Sequence, residues 1–158
     1  MPKITEIRII MGTLVHNKSF NRSFQVLEEM EAGLVLTGPE VKSLKSGHAD
    51  LKGAFISIKN GKATLKKMYI APYQKASKTL ASYNPERERA LLLHRKEMLY
   101  LANKTDSKGL TIVPVSVYTT RRLIKVKIAL VKGKKQFDKR QDIKKREMDR
   151  SIAQHLKN

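Results

Sequence analysis

The sequence predicts a mainly β domain, a small barrel with short helices, followed by a basic C-terminal tail outside its core. Three observations carry this. Five or six short stretches rich in Val, Ile, Leu and Phe run through residues 16–131 between turn residues. Only two intervals in that span have helical spacing. Residues 132–158 hold ten basic and four acidic side chains, too polar to pack and too repulsive to fold alone. Three parts follow: residues 1–15, weakly patterned and of unknown role; 16–131, the barrel; and 132–158, the tail.

Taken in order, Phe24, Val26 and Leu34 to Leu36 mark extended chain, with Gly33 expected at a bulge or sharp bend. "GPEVKSLKSG" (38–47) has Pro39 near a helix start and Gly47 at its end, with Val41 and Leu44 on one apolar side. In "AFISIKNGKATLKKMYI" (54–70), Asn60-Gly61 between two strand-like runs predicts a type I′ hairpin, since both central residues take positive φ. Residues 71–90 read as a long loop with two prolines, a length uncommon without a function. "LLLHRKEMLYLANKTDSKG" (91–109) predicts a helix with Met98, Leu101 and Ala102 on one side and Gly109 past its end. Val113, Val115 and Val117 alternate through a strand in which Pro114 predicts an edge or a bulge. In "LIKVKIALVKG" (123–133), Ile124, Val126, Ile128 and Leu130 share a face while Lys125 and Lys127 point the other way. Five or six short strands with two short helices make an OB-type, partly open barrel the predicted architecture.

Charge narrows the function. Lys and Arg number 33 against 14 acidic residues, a formal net charge of +19. An excess of that size favours a polyanionic partner, nucleic acid first. No apolar run reaches the ~20 residues that spanning a membrane needs, and "IRIIMGTLV" (7–15) lacks the cleavage site of a secretory leader. The absence of cysteine suits a reducing cytoplasm and rules out disulfides and iron–sulfur clusters. His16, His48, His94 and His155 lack ligand spacing, and no phosphate loop, dinucleotide fingerprint or nucleophile elbow is present. Glu28 and Glu29, on opposite faces of one strand, read as a solvated edge. The expectation is therefore a protein that is no enzyme and needs no cofactor or metal.

Aromatic residues are 6% and Trp is absent, too few for a stacking platform. What remains is a reader of phosphates and shape, which suits a folded RNA better than a sequence-read duplex. Lys125 and Lys127, side by side on one strand face, are the candidate backbone clamp. Within the tail, Met148, Ile152 and Leu156 recur every four residues and Asp142–Arg146 has i,i+4 spacing, so a latent helix is written there.

Four stretches then converge on a family. "NKSF…EAGLVLTGPEVKSLKSGHADLKGAFI", "PERERALLLHRKE", "KGLTIVPVSVY" and "IKVKIALVKGKKQFDKR" occur in this order from Asn17 onward. Together they closely resemble the SsrA-binding proteins, also called small protein B. The resemblance implies an OB-like barrel that binds the tRNA-like part of transfer-messenger RNA and accompanies it to stalled ribosomes. Elongation factor Tu would be met only through that RNA. The protein would act as a cytoplasmic monomer, touch no membrane, and probe the empty mRNA channel and decoding centre of the small subunit with its tail. A structural ribosome-associated protein and, behind it, an RNA-modifying enzyme are the alternatives.

By the same resemblance Asn17 with Lys18, Glu31, Leu92 and His94 fall on the RNA-contact surface. Glu31 could accept from guanine N–H groups or hold a neighbouring loop in shape. Leu92 by its type alone is a core residue. His94 could stack on a base or hydrogen-bond through a ring nitrogen. The tail residues implied to meet the ribosome are Lys134, Lys135, Phe137, Asp138, Lys139, Arg140, Lys144, Lys145, Arg146 and Ile152, on a segment disordered when free and helical on the ribosome. Two positions depart from the family pattern. Ala90 stands where lysine is common, removing a phosphate contact, and Phe137 stands where histidine is frequent, which leaves a stacking role and excludes one needing an imidazole proton.

Overall fold

A computed structural model describes residues 12–76, 80–107, 109–134 and 136–157, without the side chains of 80 and 136–138. Among the described residues are nine strands and four α-helices, so the chain is mostly β with few helices. The strands are β1 (Thr13–His16), β2 (Phe24–Leu34), β3 (Ala49–Asp50), β4 (Phe55–Lys59), β5 (Lys62–Lys66), β6 (Tyr69–Ile70), β7 (Arg89–Leu92), β8 (Leu110–Thr120) and β9 (Leu123–Gly133). The helices are α1 (Phe20–Ser23), α2 (Gly38–Lys45), α3 (Arg95–Thr105) and α4 (Gln136–Lys157). The main sheet runs β1-β8-β4-β5-β7-β2-β9 and closes on itself because β8 also pairs with β9. Closure removes most free strand edges, and β3 and β6 form a separate two-stranded ribbon.

Local chemistry explains most of these elements. Asn60 and Gly61 both take positive φ, 52° and 69°, and Lys59 pairs with Lys62, so the β4–β5 hairpin turns as its sequence predicts. Pro114 sits at a register shift between β8 and β9, the bulge expected of it. Val126, Ile128 and Leu130 point into the barrel among Leu34, Leu65, Ile112 and Val117. The opposite face of β9 is also buried further along, where Ala129 and Val131 join Phe20, Val113 and Val115 in a second cluster. Burying Phe20 there stabilises the α1 corner by roughly 1.5–3 kcal/mol.

Several expectations are corrected. Residues 13–16 form a strand, paired with β8 through Thr13↔Tyr118 and His16↔Ser116. No register shift falls at Gly33, where a bulge or sharp bend is expected; the β2–β9 register shifts between Val26 and Glu28. The helix expected over 91–109 begins only at Arg95, because 89–92 are claimed by pairing with β5 and β2. In α2 the most buried side chains are Glu40, Ser43 and Leu44; Val41 is only half-buried.

Glu40 explains how a carboxylate can sit in that core. It accepts from the Thr37 backbone N–H at 3.0 Å, from Arg87 at 2.7 and 2.6 Å, and from Arg89 Nε at 3.0 Å. Arg89, itself wholly buried, spends its other N–H groups on the carbonyls of Met68, Arg87 and Pro85 and on the Tyr83 hydroxyl. The end of the long 71–90 loop is thereby tied to both α2 and β7. Burial works to raise the Glu40 carboxyl, but the Arg87 and Thr37 hydrogen bonds and the Arg89 charge outweigh it and bring it down to about 2.

Candidate nucleic-acid interface

Strand β2 has two unlike edges. One pairs with β9 from Phe24 to Gly33, whereas the other pairs with β7 only at Gly33 and Leu34. Beyond those two residues the strand opens onto a groove of about 760 Å³ whose far wall is the β7–α3 corner. Glu29, Met30, Glu31 and Ala32 line one side, Leu91 to His94 with Glu97 and Met98 the other, and Lys125 reaches in from β9.

The corner is fixed locally. His94 is the N-cap of α3, its extended backbone (φ −64°, ψ 146°) turning the chain from strand to helix. Glu97 returns to accept the His94 backbone N–H at 3.1 Å. Alternation along β7 buries Leu91 and leaves Leu92 65% exposed toward the groove. Gly33 makes room for Leu92: a Cβ at Gly33 would lie 3.2 Å from Leu92 Cβ and 3.3 Å from its Cδ1.

Beside the groove, charges pair diagonally across β2 and β9. Lys127 meets Glu29 at 2.7 Å, and Lys125 pairs with Glu31. Glu31 also accepts from the hydroxyl of Tyr118, a residue of β8 that is 2% exposed. Partial burial works to raise the Glu31 carboxyl, but the bonds from Lys125 and Tyr118 prevail and hold it below the usual range. Glu28, read from the sequence as a solvated edge with Glu29, accepts the Tyr100 hydroxyl at 2.5 Å. Neither glutamate is unpartnered.

Of the residues singled out by sequence, Glu31, Leu92, His94 and Lys125 converge in this groove from three separate parts of the chain. Lys127 lies alongside, turned to Glu29. Asn17 does not line it. It is 4% exposed at the end of β1, donating Nδ2 to the Pro114 carbonyl at 3.1 Å and accepting from Ser19, while Lys18 next to it is exposed. Glu97 and Tyr118 were not singled out from the sequence, and Gly33 was read only as a bulge or bend. A usable signal existed: Glu29-x-Glu31 and Lys125-x-Lys127 have matching alternation, which could have paired β2 with β9 and drawn attention to what lies beyond.

The tail carries the latent helix as α4, with Arg140, Lys144, Lys145, Arg146 and Ile152 exposed and Lys139 half-buried. Asp142 accepts from Lys134, and Arg146, its expected partner, acts on it only through charge. Lys134 also donates Nζ to the Asn21 carbonyl at 2.8 Å and its backbone N–H to the Ser23 carbonyl at 3.0 Å, fastening the start of the tail to α1. Lys135 and the side chains of Phe137 and Asp138 lie outside the described residues.

Fold and groove together define a class: small, strongly basic β-barrel proteins with one open wall and a cationic helix appended at the C-terminus. Within that class the chain belongs to the SmpB protein family, whose model matches residues 14–158. It is similar to the SsrA-binding protein of Persephonella marina, with 45% identity over 141 residues, 89% of this chain and 91% of that protein. Its similarity to the SsrA-binding protein of Thermosipho melanesiensis is 46% over 148 residues, 93% of this chain and 99% of that one. A solved structure described as "tmRNA-SmpB: a journey to the center of the bacterial ribosome" superposes with a TM-score of 0.64 at 41% identity, covering 77% of this chain and 85% of that one. Among the described residues no helix is long and apolar enough to cross a membrane.

Proposed function

We propose that this chain is a non-enzymatic, cytoplasmic adaptor that binds the tRNA-like domain of transfer-messenger RNA and delivers it to stalled ribosomes. The observation that carries this is the convergence of Glu31, Leu92, His94 and Lys125 in one groove of a family member, open along an unpaired stretch of strand. The barrel, of OB type, holds the RNA with Asn17, Lys18 and Lys127 in its supporting surface. Elongation factor Tu joins through the RNA, and the protein acts as a monomer.

Residues 132–158 form the second working part. Free in solution the tail samples disorder, since an isolated helix of this length and polarity is marginal. In the empty mRNA channel it is helical, with Lys134, Lys135, Lys139, Arg140, Lys144, Lys145 and Arg146 against ribosomal phosphates, Phe137 stacking, and Asp138 and Ile152 completing the contact. Support comes from the helix at Gln136–Lys157 and from the ribosomal setting of the similar solved structure. Sequencing the RNA that copurifies with the tagged protein tests the reading: one small RNA should be enriched. Stoichiometric recovery with ribosomal RNA alone would indicate a structural ribosomal protein instead.

A further inference from the structure

The groove is acidic in a protein of net charge +19. Its charged lining is Glu29, Glu31 and Glu97 against Lys125, with His94 on the opposite wall. Lys125 is engaged by Glu31, and Lys127 alongside by Glu29, so the groove offers a phosphate backbone no free lysine and is built for something other than phosphate. An exposed leucine and an imidazole beside those carboxylates offer a flat base an apolar and stacking surface.

Glu31 is the group best placed to read that base. An ionised carboxylate has about four acceptor positions on its two oxygens. Tyr118 occupies one on Oε2 and Lys125 one on Oε1. Two acceptor positions remain, one on each oxygen by that count, and the side chain is 46% exposed and so open to a ligand. Two acceptors side by side on one rigidly held carboxylate match two parallel N–H donors. Guanine presents that pattern on its Watson–Crick edge, through N1–H and the N2 amino group. Adenine and cytosine set an acceptor nitrogen next to their amino group, and uracil flanks its single N–H with carbonyls, so each would meet Glu31 with repulsion.

We propose that the groove takes one unpaired guanine, read at its Watson–Crick edge by Glu31, and that Tyr118 is the positioning residue that aims the carboxylate. The proposal rests on the RNA-binding reading above and adds its base specificity. Tyr118 is too buried to touch RNA and acts only through Glu31.

The test is equilibrium binding of a synthetic tRNA-like domain of transfer-messenger RNA carrying inosine, which lacks the N2 amino group, at each unpaired guanine in turn. At one position inosine should weaken binding to the full-length protein roughly ten- to hundredfold, the loss of one hydrogen bond to a charged group. In Glu31→Gln the same inosine should change affinity less than about twofold. Tyr118→Phe should weaken the unmodified RNA and shrink the inosine effect without altering the salt dependence. Lys125→Met should also shrink the inosine effect, which keeps the test available if Tyr118→Phe folds poorly. If the unmodified RNA binds but inosine has no effect at any position, the guanine assignment falls and RNA binding stands. Full discrimination in a folded Tyr118→Phe variant would remove Tyr118 from the account. Failure of the unmodified RNA to bind would overturn both readings.

Discussion

Arg89 donates its Nε–H to Glu40 at 3.0 Å, a contact between strand β7 and helix α2 in which both side chains are at most 1% exposed. Because the folded state holds the Glu40 carboxyl down near 2 from an ordinary 4.5, the pair contributes fully above about pH 4.5. That contribution is lost progressively as pH falls toward 2. It is worth on the order of 3 kcal/mol. Glu40→Gln, which leaves Arg89 buried without its counter-charge, should destabilise the protein by a similar amount at pH 7. Urea midpoints at pH 7, 4 and 3 check this: the wild type should lose stability steeply below pH 4.5, and the variant should start lower and fall less.

Gly33→Ala should narrow the groove proposed to take RNA, with little effect on the fold. The added methyl would press on Leu92 Cδ1, which can swing away because the side chain is 65% exposed, and on Leu92 Cβ, which moves only with the β7 backbone. The expected stability loss is under about 2 kcal/mol, with RNA affinity falling several-fold. Affinity unchanged at equal stability would show that the position of Leu92 does not matter to binding.

The alternation of β9 and the Asn60-Gly61 turn were legible because both are local patterns. Strand β1 was not, since its partner is a hundred residues away and its four residues carry too little periodicity alone. The stretch Arg89–Leu92 runs without a break into helical spacing, and only pairing with β5 and β2 makes it a strand. Glu40 with Arg89 could not be read at all, because nothing short-range links two charges 49 positions apart. In the groove, Glu31, Leu92 and His94 came from family resemblance, and Lys125 from its strand face. Its acidic character came only from the fold, which turns Lys125 and Lys127 toward carboxylates.

That pairing sets the expected salt response. Reversing charge at Lys125 and Lys127 should weaken RNA binding, yet lower the log–log salt slope by less than the roughly 0.7–0.9 per lost phosphate contact of a free lysine. A drop equal to two full contacts would mean that both lysines leave their glutamates for phosphate on binding.

Chain termination after Lys134 should leave the barrel folded and the tRNA-like domain bound, because β9 ends at Gly133 and the backbone tie from Lys134 to Ser23 is kept. Tagging on stalled ribosomes should be lost. Ile152→Pro in the full chain should do the same without changing RNA affinity, since it breaks the C-terminal third of α4. Normal tagging by the proline variant would show that the tail works as an extended polycation.

In the proposed complex the tRNA-like domain sits in the groove between β2 and the β7–α3 corner. Backbone hydrogen exchange of the full-length protein, with and without that RNA, tests it most directly. New protection should appear across Glu28–Ala32 and Leu92–Met98, with little change at β3 and β6. Protection confined to other surfaces, with these two segments exchanging as in the free protein, would contradict it.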